Sequence, residues 1–198
     1  GRHAGLAAVG CGLATAINGG VCVIGISAEA VLGKSRLVAE FIRNTRRRGG
    51  LVAYGECEAF GTKTGYFVWR EVWRRLLGIE DEASEEEQVR ALERTIEAID
   101  PSLLPRAPLL VPVVGLSIPD SDVTRSFDAK FRKTSLEDLL SSCLRSVARE
   151  RPFAVVLEDC HWIDELSRDL LQVLTRVAAA LPVLFVAAYR PAAKPGGD

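Results

Sequence analysis

The stretch GVCVIGISAEAVLGKSRLVAE, residues 20–40, decides the fold. Val21-Cys22-Val23-Ile24 is a short apolar run rich in β-branched residues, entered through Gly19-Gly20. Such a run reads as a strand buried on both faces of a parallel sheet. At the far end, Leu37, Val38, Phe41 and Ile42 recur at helical spacing, so Lys34 onward reads as an amphipathic helix. Between strand and helix lie Ala28-Glu29-Ala30-Val31-Leu32-Gly33-Lys34-Ser35.

That window has the length and ending of a phosphate-binding loop, G-x-x-x-x-G-K-[ST]. Phosphate oxygens need backbone N–H donors that converge on one point, and glycines permit the turn that aims them. A helix starting directly after the loop adds free N–H groups and a positive dipole end. In this reading Lys34 reaches the β- and γ-phosphates and the Ser35 hydroxyl ligates Mg²⁺, with Arg36 next in the binding set. The loop departs from the pattern in two places. Ala28 stands where the first glycine belongs, and Val31 where a close variant has another. A β-branched residue strongly resists φ > 0. The expectation is a loop that collapses without nucleotide and binds it weakly, or a scaffold that has lost the ligand.

Length and composition bound the rest. The chain has 198 residues, 48% of them hydrophobic, enough for one packed α/β domain. Its net charge of −1 gives no electrostatic footprint for nucleic acid. Arg46-Arg47-Arg48 before Gly49-Gly50 reads as a helix end with cations in its last turn. No apolar run is long enough for a membrane helix. Cys11, Cys22, Cys57, Cys143 and Cys160 form no C-x-x-C pair, so neither zinc nor a disulfide framework is indicated. A reducing, cytoplasmic setting fits. The chain opens on Gly1 rather than Met, and the expectation is a piece of a longer protein.

Further along, Leu51–Cys57 reads as a second strand and Gly61–Gly65 as a polar loop. Tyr66–Leu77 reads as a helix carrying Phe67, Val68, Val72, Trp73, Leu76 and Leu77, with Trp69 off the stripe as a candidate for exposure and Gly78 as the stop. Ser84-Glu85-Glu86-Glu87 is a capping box opening a helix through Val89, Leu92, Ile96 and Ile99. Asp100–Pro119 holds five prolines and reads as irregular, with a short helix near Leu109. Asp120–Lys133 reads as a charged surface loop, and Thr134-x-x-Glu137 as a second capping box. Pro152–Asp159 is a third strand ending in Glu158 and Asp159. Asp164 caps a helix, and Leu181–Pro191 is a fourth strand ending at Arg190. Strands alternating with helices give a parallel sheet covered on both faces. The core is expected over residues 1–191, with 192–198 a Pro/Gly-rich tail.

Two acids at the end of an apolar strand have a specific use at a sheet's carboxyl edge. One holds Mg²⁺ opposite Ser35, and the other orients the water for in-line phosphoryl transfer. Glu158 and Asp159 share those roles, with the division between them open.

Gly1-Arg2, Ala28–Leu37, Val156–Asp164 and Ala188-Tyr189-Arg190-Pro191 recur in the order seen in one group of proteins. They resemble the ATPase module of the STAND branch of AAA+-related P-loop NTPases. Tyr66-Phe67-Val68-Trp69-Arg70-Glu71 narrows the likeness. It is similar to the ATPase region that follows the cyclase domain in bacterial multidomain class III adenylate/guanylate cyclases and related signalling proteins. The resemblance covers nearly the whole chain and is weakest over Asp100–Lys133. It implies a P-loop NTPase three-layer α/β/α sandwich with sheet order 5-1-4-3-2, truncated here before the fifth strand and the helical lid. It implies ATP and Mg²⁺, and a nucleotide switch with weak ATPase activity. By position it gives Arg190 a sensor role at the γ-phosphate and puts Arg2 near the base. His161 matches the pattern, and structural and catalytic roles both stay open for it. Attached cyclase and helical-repeat domains are the implied partners, with nucleotide-dependent self-association. The competing expectations are a degenerate scaffold serving protein contacts and a small-molecule kinase, for which no acceptor site is legible.

Overall fold

In the computed structural model residues 22–27, 34–47 and 49–189 are described. Four strands form one sheet: β1 (Cys22–Ser27), β2 (Leu51–Glu56), β3 (Phe153–Glu158) and β4 (Val183–Tyr189). Their order is β1-β4-β3-β2 and every pairing is parallel. This is the order the resemblance implies for these four strands. The fold is therefore α/β, of P-loop NTPase type, as the residues 20–40 and the alternation of elements lead one to expect.

Side chains alternate along each strand, so the sheet has two distinct faces. Val52, Ala154, Val156, Leu184, Val186 and Ala188 bury against Val38 and Phe41 of helix α1 (Lys34–Arg47). The opposite face carries Phe153, Val155, Leu157 and Phe185 in the larger core cluster. It is covered by α2 (Trp69–Leu76), α5 (Ala129–Glu150) and α6 (Glu165–Val177). β3 is buried along its whole length, which explains its unbroken apolar run.

The connection from β2 to β3 holds nearly half the chain. It also contains α3 (Glu85–Ile99), which opens with the full reciprocal capping box at Ser84 and Glu87. Arg74 fastens this insertion. It donates to Val114 O at 2.9 Å, Gln88 Oε1 at 3.1 Å and Asp81 Oδ1 at 2.8 Å.

Several local expectations need correction. Gly61–Gly65 is not simply a loop, because Ala59–Lys63 makes a 3₁₀ helix. Trp69 is completely buried, and its indole N–H donates to Ser167 O at 3.1 Å. The reason is phase. The helix starts at Trp69 rather than Tyr66, so Phe67 and Val68 lie before it and the stripe becomes Trp69, Val72, Trp73 and Leu76. Gly78 ends that helix as expected, at φ +69°.

The proline-rich segment is also more ordered than its composition suggests. Pro101–Leu110 is a 3₁₀ helix capped by Asp100, and Val111–Val114 a single α-turn, α4. Leu109, Leu110, Val113 and Val114 join the core. Asp120–Lys133 is not one loop. Thr124–Ser126 is a 3₁₀ turn, and α5 begins at Ala129. Its cap is Asp128, which accepts from the Phe131 N–H at 2.7 Å. Thr134 therefore lies inside the helix, where its hydroxyl donates back to Lys130 O at 3.2 Å. The expected second capping box does not form.

Candidate functional site

The site is assembled where the strands end. β1 stops at Ser27, and α1 begins at Lys34 with Ser35 as its second residue and Arg36 exposed after them. The loop residues Ala28, Glu29, Ala30, Val31, Leu32 and Gly33 lie outside the described residues, as do Arg2 and Arg190. What the fold does fix is a fourteen-residue helix whose N-terminus follows the first strand. Its unsatisfied N–H groups and dipole make that end suited to an anion.

Glu158 is the last residue of β3 and only 7% exposed. Alternation from Ala154 and Val156 puts it on the α1 face of the sheet. In the register it stands opposite Glu56 of β2. The Tyr54 hydroxyl reaches both carboxylates, at 3.3 Å from Glu158 Oε2 and 3.2 Å from Glu56 Oε2. Burial, and then the charges of Glu158 and Glu56, push this phenol far above the usual tyrosine range. It stays protonated and remains a donor. Tyr54 was not singled out in the sequence. The signal was present, since Val52, Tyr54 and Glu56 alternate onto one face, but it acquires meaning only once β2 is known to lie beside β3.

Asp159 has left the strand. Its backbone is left-handed, φ 50° and ψ 38°, a conformation that Asp tolerates better than most residues. Its carbonyl accepts from the Trp162 N–H at 2.9 Å, closing the 3₁₀ turn Cys160–Trp162. His161 belongs to that turn and not to the core. Its ring rests against Trp162 at 5.1 Å, and Nδ1 is 3.9 Å from Asp159 Oδ1. That pair is ionic only when the imidazole is protonated.

The turn is tied to the β2 side by three groups. The Cys57 N–H donates to Glu158 O at 2.9 Å. The Cys57 thiol hydrogen-bonds with Cys160, which together with burial pushes Cys57 upward and keeps it a thiol. Asp164 caps α6 by accepting from the Ser167 N–H at 2.9 Å, and it also accepts from the Tyr66 N–H at 3.2 Å.

These residues fit a magnesium–nucleotide ligand. Glu158 and Asp159 offer hard oxygen donors, and Glu158 faces the α1 side of the sheet. Mg²⁺ needs only one or two such carboxylates when phosphates and waters complete its shell. Among the described residues no group of three or more His, Cys, Asp or Glu side chains makes an all-protein metal cage. No described helix is long and apolar enough to cross a membrane.

A family model described as an AAA ATPase domain matches residues 1–186. An uncharacterized protein of Rhizobium meliloti (strain 1021) is 31% identical over 173 residues, which is 85% of this chain. The chain spans 16% of that relative's length. No solved structure matches the chain.

Proposed function

The chain belongs to the AAA ATPase domain family, and we propose that it acts as a nucleotide switch, a slow Mg²⁺-dependent ATPase within a larger cytoplasmic signalling protein. The observation that carries this reading is Glu158. A buried carboxylate ends the strand, faces the side of α1, and shares the proton of Tyr54 with Glu56. A carboxylate at the end of that strand, on the α1 face, suits the role of a metal arm beside bound phosphates.

The roles then divide as follows. The N-terminus of α1, Lys34 and the backbone of 28–33 hold the phosphates. Ser35 and Glu158 are the arms for Mg²⁺, which neutralises phosphate charge when bound. Asp159, beyond the strand and partly open to solvent, orients the attacking water. Its orientation matters most in the transition state, where the water oxygen bonds to the γ-phosphorus and ADP departs. Arg190 reads the γ-phosphate and Arg2 lies near the base. Ala28 and Val31 in place of glycines support slow turnover and weak affinity over metabolic flux. The attached domains, cyclase and helical-repeat in kind, and nucleotide-dependent self-association are the outputs such a switch would act through.

Calorimetric titration with ATP and Mg²⁺ tests the reading, paired with phosphate release in the absence of any acceptor. The parent is expected to bind and to release phosphate slowly, and Lys34→Ala to do neither while keeping its fold. Equal binding by Lys34→Ala would remove the phosphate-loop assignment. The substitutions at Ala28 and Val31 favour a second reading, a scaffold without nucleotide, and absence of binding in the parent would select it.

A further inference from the structure

A cavity of about 560 Å³ opens on the side of the sheet opposite α1. Its walls are apolar: Pro108, Leu109, Ile118, Leu136 and Leu166. Its volume lies in the range of small-molecule sites, which are mostly apolar with a few placed polar groups. The proline-rich segment and the start of α5 form it, the two stretches whose composition reads least like structure.

Tyr66 lines this cavity and is 5% exposed. Its backbone sits at φ 63°, strained for an aromatic residue, and Asp164 holds its N–H. Among the described residues its hydroxyl meets no hydrogen-bond partner. The Trp73 indole N–H and the Ser167 hydroxyl also lack partners but are fully enclosed. The Tyr66 hydroxyl is not among such enclosed atoms, and the residue lines the cavity. A hydroxyl with no partner inside the fold is free to donate to a ligand acceptor in place of water. Burial, then Glu137, Asp164 and Asp169, push this phenol up to about 12, so it presents a proton and not a negative charge.

The charged residues of the rim are already engaged. Arg132 pairs with Asp120 at 2.7 Å and donates to Thr124 O at 2.9 Å. Lys133 pairs with Asp169 and lies 3.9 Å from Glu137. A charged ligand would have to break these pairs, whereas a neutral one would leave them intact.

We propose that this cavity is a binding site for a neutral, largely apolar small molecule bearing one hydrogen-bond acceptor, which the Tyr66 hydroxyl receives. None of its lining residues is one assigned to the nucleotide, and its ligand would bind without ATP. Its ligand would touch the loop that Asp164 joins to the turn after β3.

The test uses the full chain and prodan, a neutral fluorescent aminonaphthalene with one ketone, whose emission moves to the blue on leaving water. The expected result is a saturable blue shift that ATP with Mg²⁺ does not displace. Tyr66→Phe keeps the ring and should weaken the dye about fivefold, the loss of one neutral hydrogen bond. Its thermal midpoint should stay near the parent's, because the hydroxyl holds no partner within the fold. Ala129→Trp, from an exposed position at the cavity wall, should fill the space and abolish binding. No saturable shift in the parent, or displacement by ATP with Mg²⁺, would overturn the site. Unchanged affinity in Ala129→Trp would overturn the location, and unchanged affinity in Tyr66→Phe the role of its hydroxyl.

Discussion

Asp159 shapes the turn after β3, and in the proposed function it also orients water. Its left-handed backbone is needed to bring Cys160–Trp162 around after β3. Asn accepts that conformation as readily, while Ala does not. Asp159→Asn should therefore leave the fold unchanged and slow phosphate release about a hundredfold or more, with little change in ATP affinity. Single-turnover release and calorimetry separate the two effects; lost Mg²⁺ affinity with unchanged turnover would make Asp159 the metal arm instead. Val31, which lies outside the described residues, poses a related question from its sequence alone. Holding a β-branched residue at φ > 0 costs on the order of 1–3 kcal/mol. If the strain appears on binding, Val31→Gly should tighten ATP by roughly five- to a hundredfold in a titration. Equal affinities would remove the strain argument. At this scale the sequence was legible where structure follows chain order: a helix does begin at Lys34 after β1, and Glu158 does close β3. It was not legible for Tyr54, whose partner Glu158 is 104 positions away.

At the scale of elements, the contrast between Asp128 and Thr134 explains why one capping signal failed where another held. Ser84 and Glu87 form the reciprocal box that their spacing announces. Thr134 and Glu137 have the same spacing, but Asp128 has already started the helix. A local motif cannot report that an upstream cap has won. Asp128→Ala should cost about 1 kcal/mol in denaturant unfolding. Thr134→Ala should change stability by a few tenths at most, since Ala gains helix propensity where the back-bonded hydroxyl is lost. A larger loss at Thr134 than at Asp128 would contradict the assigned start of α5. Trp69 was misread for a related reason, because a stripe has the right phase only if the first helical residue is known. Gly55 marks a contact that no pattern announces. A Cβ there would stand 2.3 Å from Val68 O, a backbone atom with no rotamer to relieve the clash. Gly55→Ala should destabilise by about 1–3 kcal/mol, lowering the melting midpoint by about 2–4 °C for each kcal/mol. An unchanged midpoint would mean that the entry to α2 moves aside.

At the scale of the molecule, the described residues bury the two faces of the sheet in clusters of different size. Among the described residues, its α1 face is packed by Val38 and Phe41 with Ile42 at the margin. The other face carries the larger cluster, to which α2, α5 and α6 all contribute. Burying a large apolar side chain contributes about 1.5–3 kcal/mol, so among the described residues more of the core lies on the far side than under α1. Regions with few buried contacts open at lower free energy than the global transition. Among the described residues, the N-terminal end of α1 lies on the face with the smaller buried cluster. A ligand bound there stabilises only states in which α1 is docked, by about 2.7 kcal/mol at a hundredfold excess over its dissociation constant. Amide hydrogen exchange should show this directly. Without nucleotide, residues 34–47 should exchange faster than α5 and β3; with ATP and Mg²⁺, protection should rise most over 34–47. It should rise little over α5, which packs on the opposite face. Lys34→Ala should show the fast α1 exchange in both conditions. Protection spread evenly over the chain would mean that α1 opens only with the whole fold, leaving no local element for nucleotide to switch.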